Sequence, residues 1–186
     1  MNTVKVYPGM MCDAVEFFQH NNQLKAIQNG KVKSFSELSF ATIQILKEEI
    51  NQHKDVKLAL HDFHPTSEMK RIEQFALCRF GGLDFSGDIK NGELQDGEFW
   101  NCPNHGNCPH EGLLCKLPKV NDERLTKQEV QLMRLTATDK TNEVIAEELG
   151  VPLGTFHQIK QKLYRKLGYV QTKQEVTFIA TLLNLI

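Results

Sequence analysis

Two stretches of this sequence carry side chains whose types and spacing could do chemistry. In FWNCPNHGNCPHEGLLCK, Cys102, Cys108 and Cys115 stand in a C-x5-C-x6-C arrangement. In a reducing compartment, thiols this dense serve more readily as metal ligands than as disulfide partners. A loop rich in Pro, Gly and Asn lacks the apolar content to fold by burial, so a central ion would supply the missing stabilisation. Cys78, at the end of an expected helix, is the favoured fourth ligand, with His105 and His110 as alternatives. Four thiolates suit structural zinc or an iron–sulfur cluster. Zinc is the first expectation and a cluster the alternative, although the spacing fits neither a standard zinc finger nor a ferredoxin run. Three reduced, unliganded cysteines in a surface loop are the plain reading. Cys12 stands apart and reads as a buried thiol. The His61-Asp62-Phe63-His64 group has no second carboxylate beside it and reads as a surface loop ahead of Pro65.

The second stretch is TFHQIKQKLYRKLG. At 100° per residue Phe156, Ile159, Leu163 and Leu167 share one helical face. The opposite face presents Gln158, Gln161, Lys162 and Arg165, with His157 at its edge. Between Thr155 and Lys166 there are four basic residues and no acidic one, in a chain whose net charge is −1. Gln can both donate to and accept from adenine, while Lys and Arg reach guanine or phosphate. An ordinary solvated helix face is the bland alternative, and the lack of any Asp or Glu argues against it.

The surrounding elements place this helix. Thr126 and Glu129 have capping-box spacing and open a first helix, with Val130 and Met133 inward. Thr141 is the expected N-cap of NEVIAEEL, whose Val144, Ile145 and Leu149 supply an apolar face, and Gly150 ends it in the left-handed conformation. The stretch from Gly154 to Leu167 is the third helix and about Lys173 to Leu183 the fourth. The second and third have the spacing that sets a recognition helix in the DNA major groove.

The segments LTKQEVQLMRLTA, TNEVIAEELGV and TFHQIKQKLYRKLG together resemble the LuxR-type (GerE-like) helix-turn-helix over about sixty residues. Leu125, Thr126 and Glu129 match its first helix, and Asn142, Ile145, Ala146 and Leu149 its second. Thr155-Phe156-His157 and Lys166-Leu167-Gly168 match the start and finish of its recognition helix. The resemblance implies base contacts from His157, Gln158 and Gln161 and phosphate contacts from Thr155, Lys162 and Lys166, and Arg165 and Asn142 complete the expected DNA-binding set. It departs from the family pattern at His157, Ile159 and Lys162, where Lys, His and Asn are usual, so the operator does not follow from it. The DNA-binding region of sigma factors has similar geometry and stays open as a second relative. The resemblance also implies dimerisation through the fourth helix, with Val176, Ile179, Ala180 and Leu183 available. Closing the domain core is the equal alternative for those four side chains.

The rest of the chain reads as mainly α. Residues 13–28 suggest a short helix ended by Asn29-Gly30. SFSELSFATIQILKEEI suggests a helix opened by a Ser34/Glu37 capping box, with Phe40, Ile43, Leu46 and Ile50 near one face. Val56, Leu58 and Leu60 alternate as a strand would, though a helix is possible. A helix follows Pro65 and ends at Gly81-Gly82, and Asn91-Gly92 suits a hairpin tip. KLPKVNDE looks like a linker. The expected division is an α or α+β sensor or interaction domain over 1–118, ending in the Cys-rich metal-binding loop, and a four-helix DNA-binding domain over 119–186.

Composition bounds the function. A 186-residue chain with 40% hydrophobic residues and a pI near 6.7 cannot bind nucleic acid by bulk positive charge, only through a local basic face. The longest uncharged apolar run, Thr177 to Ile186, is too short to span a bilayer. MNTVKVYPGM shows no secretory signal, so an intracellular protein is expected. No nucleophile-and-base constellation suggests an enzyme. Nor is there the acidic cluster and phosphoacceptor Asp of a receiver domain, or the aromatic-rich sheet of an acyl-homoserine-lactone pocket. The expectation is a transcription regulator that binds double-stranded DNA, with RNA polymerase as a further partner. The rivals are a sigma-like or mobile-element accessory factor acting through protein contacts and an iron–sulfur redox regulator.

Overall fold

Asparagine sets the turns of the amino-terminal half. Asn21-Asn22, Asn29-Gly30 and Asn91-Gly92 each hold two successive residues at positive φ, the requirement of a two-residue hairpin turn. The first two connect β1 (Glu16–His20), β2 (Gln23–Gln28) and β3 (Lys31–Ser34) into an antiparallel meander. The third joins β4 (Ile89–Lys90) to β5 (Glu93–Leu94), as the Asn-Gly pair predicts. The helix expected over 13–28 is therefore a hairpin: Phe17, Leu24 and Ala26 alternate inward with a period of two.

These coordinates are a computed structural model describing residues 5–186. The first four residues of the stretch judged to lack a secretory signal lie outside the described residues. The chain divides into two units, one running to Pro103 and taking in Leu113–Lys116, the other made of Asn104–Gly112 and Leu117–Ile186.

In the first unit the meander packs against α3 (Glu68–Phe80), which also meets α1 (Phe40–Gln52) and α2 (Lys54–Phe63). Ser39 caps α1 through its hydroxyl and Ser67 caps α3 likewise. The Ser34/Glu37 capping box forms, but on a single 3-10 turn ahead of α1. Phe40, expected inward, is 76% exposed, while Leu46 and Ile50 are buried. The apolar alternation at 56, 58 and 60 is resolved as helix: Val56, Ala59 and Leu60 face the core and Leu58 points to solvent. Phe17, Phe75 and Phe80 are fully buried, each contributing about 1.5–3 kcal/mol of burial. Arg79, also buried, donates to the carbonyls of Leu113 and Leu114 at 3.2 and 2.8 Å.

The second unit holds four helices, α4 (Lys127–Thr136), α5 (Asn142–Glu148), α6 (Leu153–Lys166) and α7 (Lys173–Leu182). The stretch expected as a linker is a hairpin, β6 (Lys119–Val120) and β7 (Glu123–Arg124), turning at Asn121-Asp122. Among the described residues no helix is long and apolar enough to cross a membrane.

Candidate nucleic-acid interface

Local chemistry fixes where each helix of the second unit begins and ends. Thr126 and Glu129 form a reciprocal capping box on α4, and Thr172 and Glu175 form another on α7. Gly150, at φ +65°, lets Val151 N–H reach the Ala146 carbonyl and Gly150 N–H the Glu147 carbonyl, the paired bonds that close a helix end. Asn184 does the same for α7, with Leu185 N–H on the Ala180 carbonyl. Between α5 and α6 only a few residues intervene, and Pro152, at φ −58°, stands at the N-cap of α6.

Packing then decides which side of α6 faces out. Phe156, Leu163 and Leu167 are buried with Ile145, Ala146, Leu132 and Met133. Ala146, 3% exposed, is small enough for two helices to cross closely. On the other side Thr155, His157, Gln158, Gln161, Lys162 and Arg165 are all exposed, as the 100° periodicity predicts. A shallow cleft of about 370 Å³ borders this face, lined by His157, Lys160, Gln161, Tyr164, Arg165 and Tyr169. Lys160 is half-buried over the Tyr164 ring at 5.2 Å, and burial, then the neighbouring Lys173, lowers its pKa. Burial, with Glu175 adding to it, raises that of the Tyr164 hydroxyl.

Two of the sequence-predicted residues sit differently from that outward set. Lys166 is 14% exposed, with Nζ 3.1 Å from Glu129 Oε2 and donating to the Arg124 carbonyl at 2.8 Å. Its own carbonyl accepts from Asn121 Nδ2 at 2.9 Å. The 119–124 hairpin and Lys166 thus clamp the carboxyl end of α6 to the start of α4. Asn142, at the first turn of α5, is half-buried and its Oδ1 has no hydrogen-bond partner. Sequence reasoning missed Tyr164, Tyr169 and Asn121. The i,i+4 spacing of Lys160 and Tyr164 was the available signal for the first. For Tyr169, 72% exposed at φ +61°, the signal was its place just past Gly168.

The fourth helix buries Val176 and Ala180 completely. Of the residues considered for a dimer seam, these two close the domain core. Phe178 and Leu182, each 65% exposed, are the apolar side chains α7 leaves outside.

The segment 104–112 is held to its unit by charge. Arg134 on α4 makes two bonds to Glu111, at 2.9 and 3.0 Å, and a third to the Leu185 carbonyl at 3.1 Å. Glu111 also meets His105 Nδ1 at 3.0 Å. Burial alone would raise the Glu111 pKa, but Arg134, the Gly106 N–H and His105 outweigh it and hold the pKa below the usual carboxylate range.

The expected metal-binding loop does not take shape. Cys78 and Cys102 are half-buried and Cys115 buried in the first unit, and Cys108 is half-buried in the second. Among the described residues no group of three or more His, Cys, Asp or Glu stands where it could hold a metal ion. The four-cysteine set, its His105 and His110 alternatives and the His61–His64 group are not brought together as ligand clusters among the described residues. Gln74 Nε2 donates to Cys78 Sγ at 3.1 Å. Cys12, expected buried, is exposed, and its sulfur accepts from Gly9 N–H.

Residues 123–180 match the family model of bacterial regulatory proteins, luxR family. The match covers the four-helix region and does not reach the amino-terminal part. No curated protein and no solved structure matches the chain. A luxR-family helix-turn-helix at this position supports a DNA-binding transcription regulator.

Proposed function

We propose, from the luxR-family match over residues 123–180, that this chain regulates transcription by laying α6 in the major groove of double-stranded DNA. The observation that carries the reading is the outward face of α6: His157, Gln158, Gln161, Lys162 and Arg165 are exposed together, and no acidic residue lies between Thr155 and Lys166. Gln158 and Gln161 have the donor–acceptor pairs that read adenine, and His157 reaches base edges from the first turn. Thr155, Lys162 and Arg165 take backbone phosphates, which set register without reading sequence. Asn142, at the start of α5, takes a phosphate beside the helix that crosses the backbone. Lys166 acts differently, as an internal brace that fixes the angle of α6.

On the same reading a second copy of the chain pairs through α7, where Phe178 and Leu182 stand outside the domain core. Two recognition helices so joined read two half-sites about one helical turn apart. RNA polymerase is the further partner through which an operator-bound copy acts.

Selecting duplexes from a random pool on the full chain tests this. The expected result is one enriched motif, and a log–log salt slope near −0.9 per phosphate contact. A pool that stays random after selection would remove the sequence-specific part of the proposal.

A further inference from the structure

Burial of acids in the first unit is not explained by anything above. Glu16, on β1, is 1% exposed, with Oε1 accepting from Asp84 N–H at 2.8 Å. Its Oε2 is buried and has no hydrogen-bond partner. Asp88, 5% exposed, accepts from Phe17 N–H at 2.7 Å. Glu98 accepts from Gly82 N–H at 2.6 Å and hydrogen-bonds the Asp84 carboxyl. Glu16 and Asp88 thereby tie the segment 82–98 to β1, and Glu98 joins the two ends of the segment to each other. The Val15–Ile89 bridge lies among them, with Asp88 N–H on the Val15 carbonyl at 2.8 Å.

A buried carboxylate oxygen with no donor is costly, and four neighbouring carboxylates repel. These acids do not form a three-ligand group for a metal. A proton on an acid removes the buried charge and with it the repulsion among the carboxylates. Lys90, on β4, attracts Glu16, and Asp84, Asp88 and Glu98 act on one another and on it. On α3 the Arg79 guanidinium donates to the Leu113 and Leu114 carbonyls. On β2 the residue paired with Glu16 is Ile27, and Lys25 is paired with Phe18.

We infer that the segment 82–98 is a clasp held closed on β1 by protonated carboxyls, and that loss of those protons to solvent opens it, which makes the amino-terminal unit responsive to pH. Burial first, then the surrounding carboxylates, pushes Asp88 up to about 9. Burial likewise pushes Glu16 to about 7 and raises Glu98. A carboxyl whose pKa is raised in the closed form stabilises that form fully below its open-chain value of 3.8 for Asp or 4.5 for Glu. The stabilisation is lost as pH rises through the raised value. Over that window the open-to-closed ratio rises about tenfold per pH unit for each acid still protonated when closed. The contribution of Glu16 is exhausted near pH 7 and that of Asp88 only near pH 9, so the clasp weakens progressively from above about pH 4.5 to about pH 9.

Trp100, the sole tryptophan, reports on the clasp: its ring lies against Gly81, its Cβ against Gly82, and its indole N–H donates to the Cys78 carbonyl at 3.2 Å. The experiment is a titration of Trp100 emission in the full chain from acid to alkaline pH, with far-UV circular dichroism in parallel. A reversible emission change that sets in above about pH 4.5 and is complete by about pH 9, with the dichroism constant, is expected. The paired change Asp88→Asn with Glu98→Gln, which keeps shape but cannot ionise, should remove most of it. Glu16→Gln alone should remove a smaller part, confined to below about pH 7, and it serves if the double variant does not fold. Flat wild-type emission, or a transition unchanged in the variants that fold, would overturn the inference.

Discussion

Replacing Lys166 by Met and Lys162 by Gln separates two roles for lysine on one helix. Lys166 Nζ lies 3.1 Å from Glu129 Oε2, both side chains are 14% exposed, and the same ammonium donates to the Arg124 carbonyl. A hydrogen bond to a charged group contributes about 1.5–3 kcal/mol, and the residual solvent contact brings the expected cost of Lys166→Met to about 1–2 kcal/mol. Glu129 also accepts from Thr126 N–H at 2.7 Å and its own N–H donates to Thr126 Oγ1, so the cap of α4 keeps both of its bonds and the helix survives. Lys162 is exposed, and Lys162→Gln is expected to change stability by less than about 0.5 kcal/mol. Its effect is on DNA: a lost phosphate contact makes the salt slope shallower by about 0.9. Urea denaturation of both variants, with DNA titrations at several salt concentrations, reads the two quantities independently. If Lys166→Met left stability unchanged and flattened the salt slope instead, the assignment of Lys166 as an internal brace would be refuted.

Three further outcomes are expected. Gly150→Ala, at φ +65° with open space around the new methyl, should lower stability by about 1 kcal/mol from backbone strain alone, and Gly150→Asn by less; equal stability of all three by denaturation would contradict the closure described for α5. Arg134→Ala leaves Glu111 at 14% exposure without its guanidinium and should cost about 2–4 kcal/mol. Because the Glu111 pKa is held below its usual value, that contribution is present at neutral pH and fades as pH falls through the lowered value, so the gap between wild type and variant narrows in acid. On the proposed pairing through α7, the full chain sediments as a dimer and Phe178→Asp with Leu182→Asp turns it into a monomer with far-UV dichroism preserved, since neither side chain is in the core; a wild type that sediments as a monomer, or an unchanged sedimentation coefficient in the variant, would take the second copy away from α7.

The carboxyl-terminal helices were legible because their boundaries are written in neighbouring residues. Thr126 with Glu129, and Gly150 after Leu149, are local instructions, and the Phe156–Leu163–Leu167 stripe has only one way to face inward. The amino-terminal half was harder. DAVEFFQHNNQLKAIQ carries enough apolar residues to imitate a helix, and only the Asn21-Asn22 pair, able to hold positive φ, announces the hairpin. At 56–60 alternation left strand and helix both open, and Ala59, joining Val56 and Leu60 on one face, decides for the helix. Lys166 looked like its neighbours because a helix wheel cannot show that a hairpin 42 residues earlier, at Arg124, offers it a carbonyl. The burial of Glu16 is tertiary in the same sense, since Asp84 is 68 residues away. For the cysteines, density along the chain did not translate into a converging set of donors.

The central claim is that the outward face of α6 reads base sequence. Its most direct measurement is the affinity of the full chain, and of a variant with His157, Gln158 and Gln161 all changed to Ala, for a selected duplex and for a scrambled one at one salt concentration. The account predicts that the wild type prefers the selected duplex by about a thousandfold or more. It predicts that the variant keeps its salt-dependent grip on both duplexes and loses the preference. A variant that discriminates as well as the wild type would contradict it.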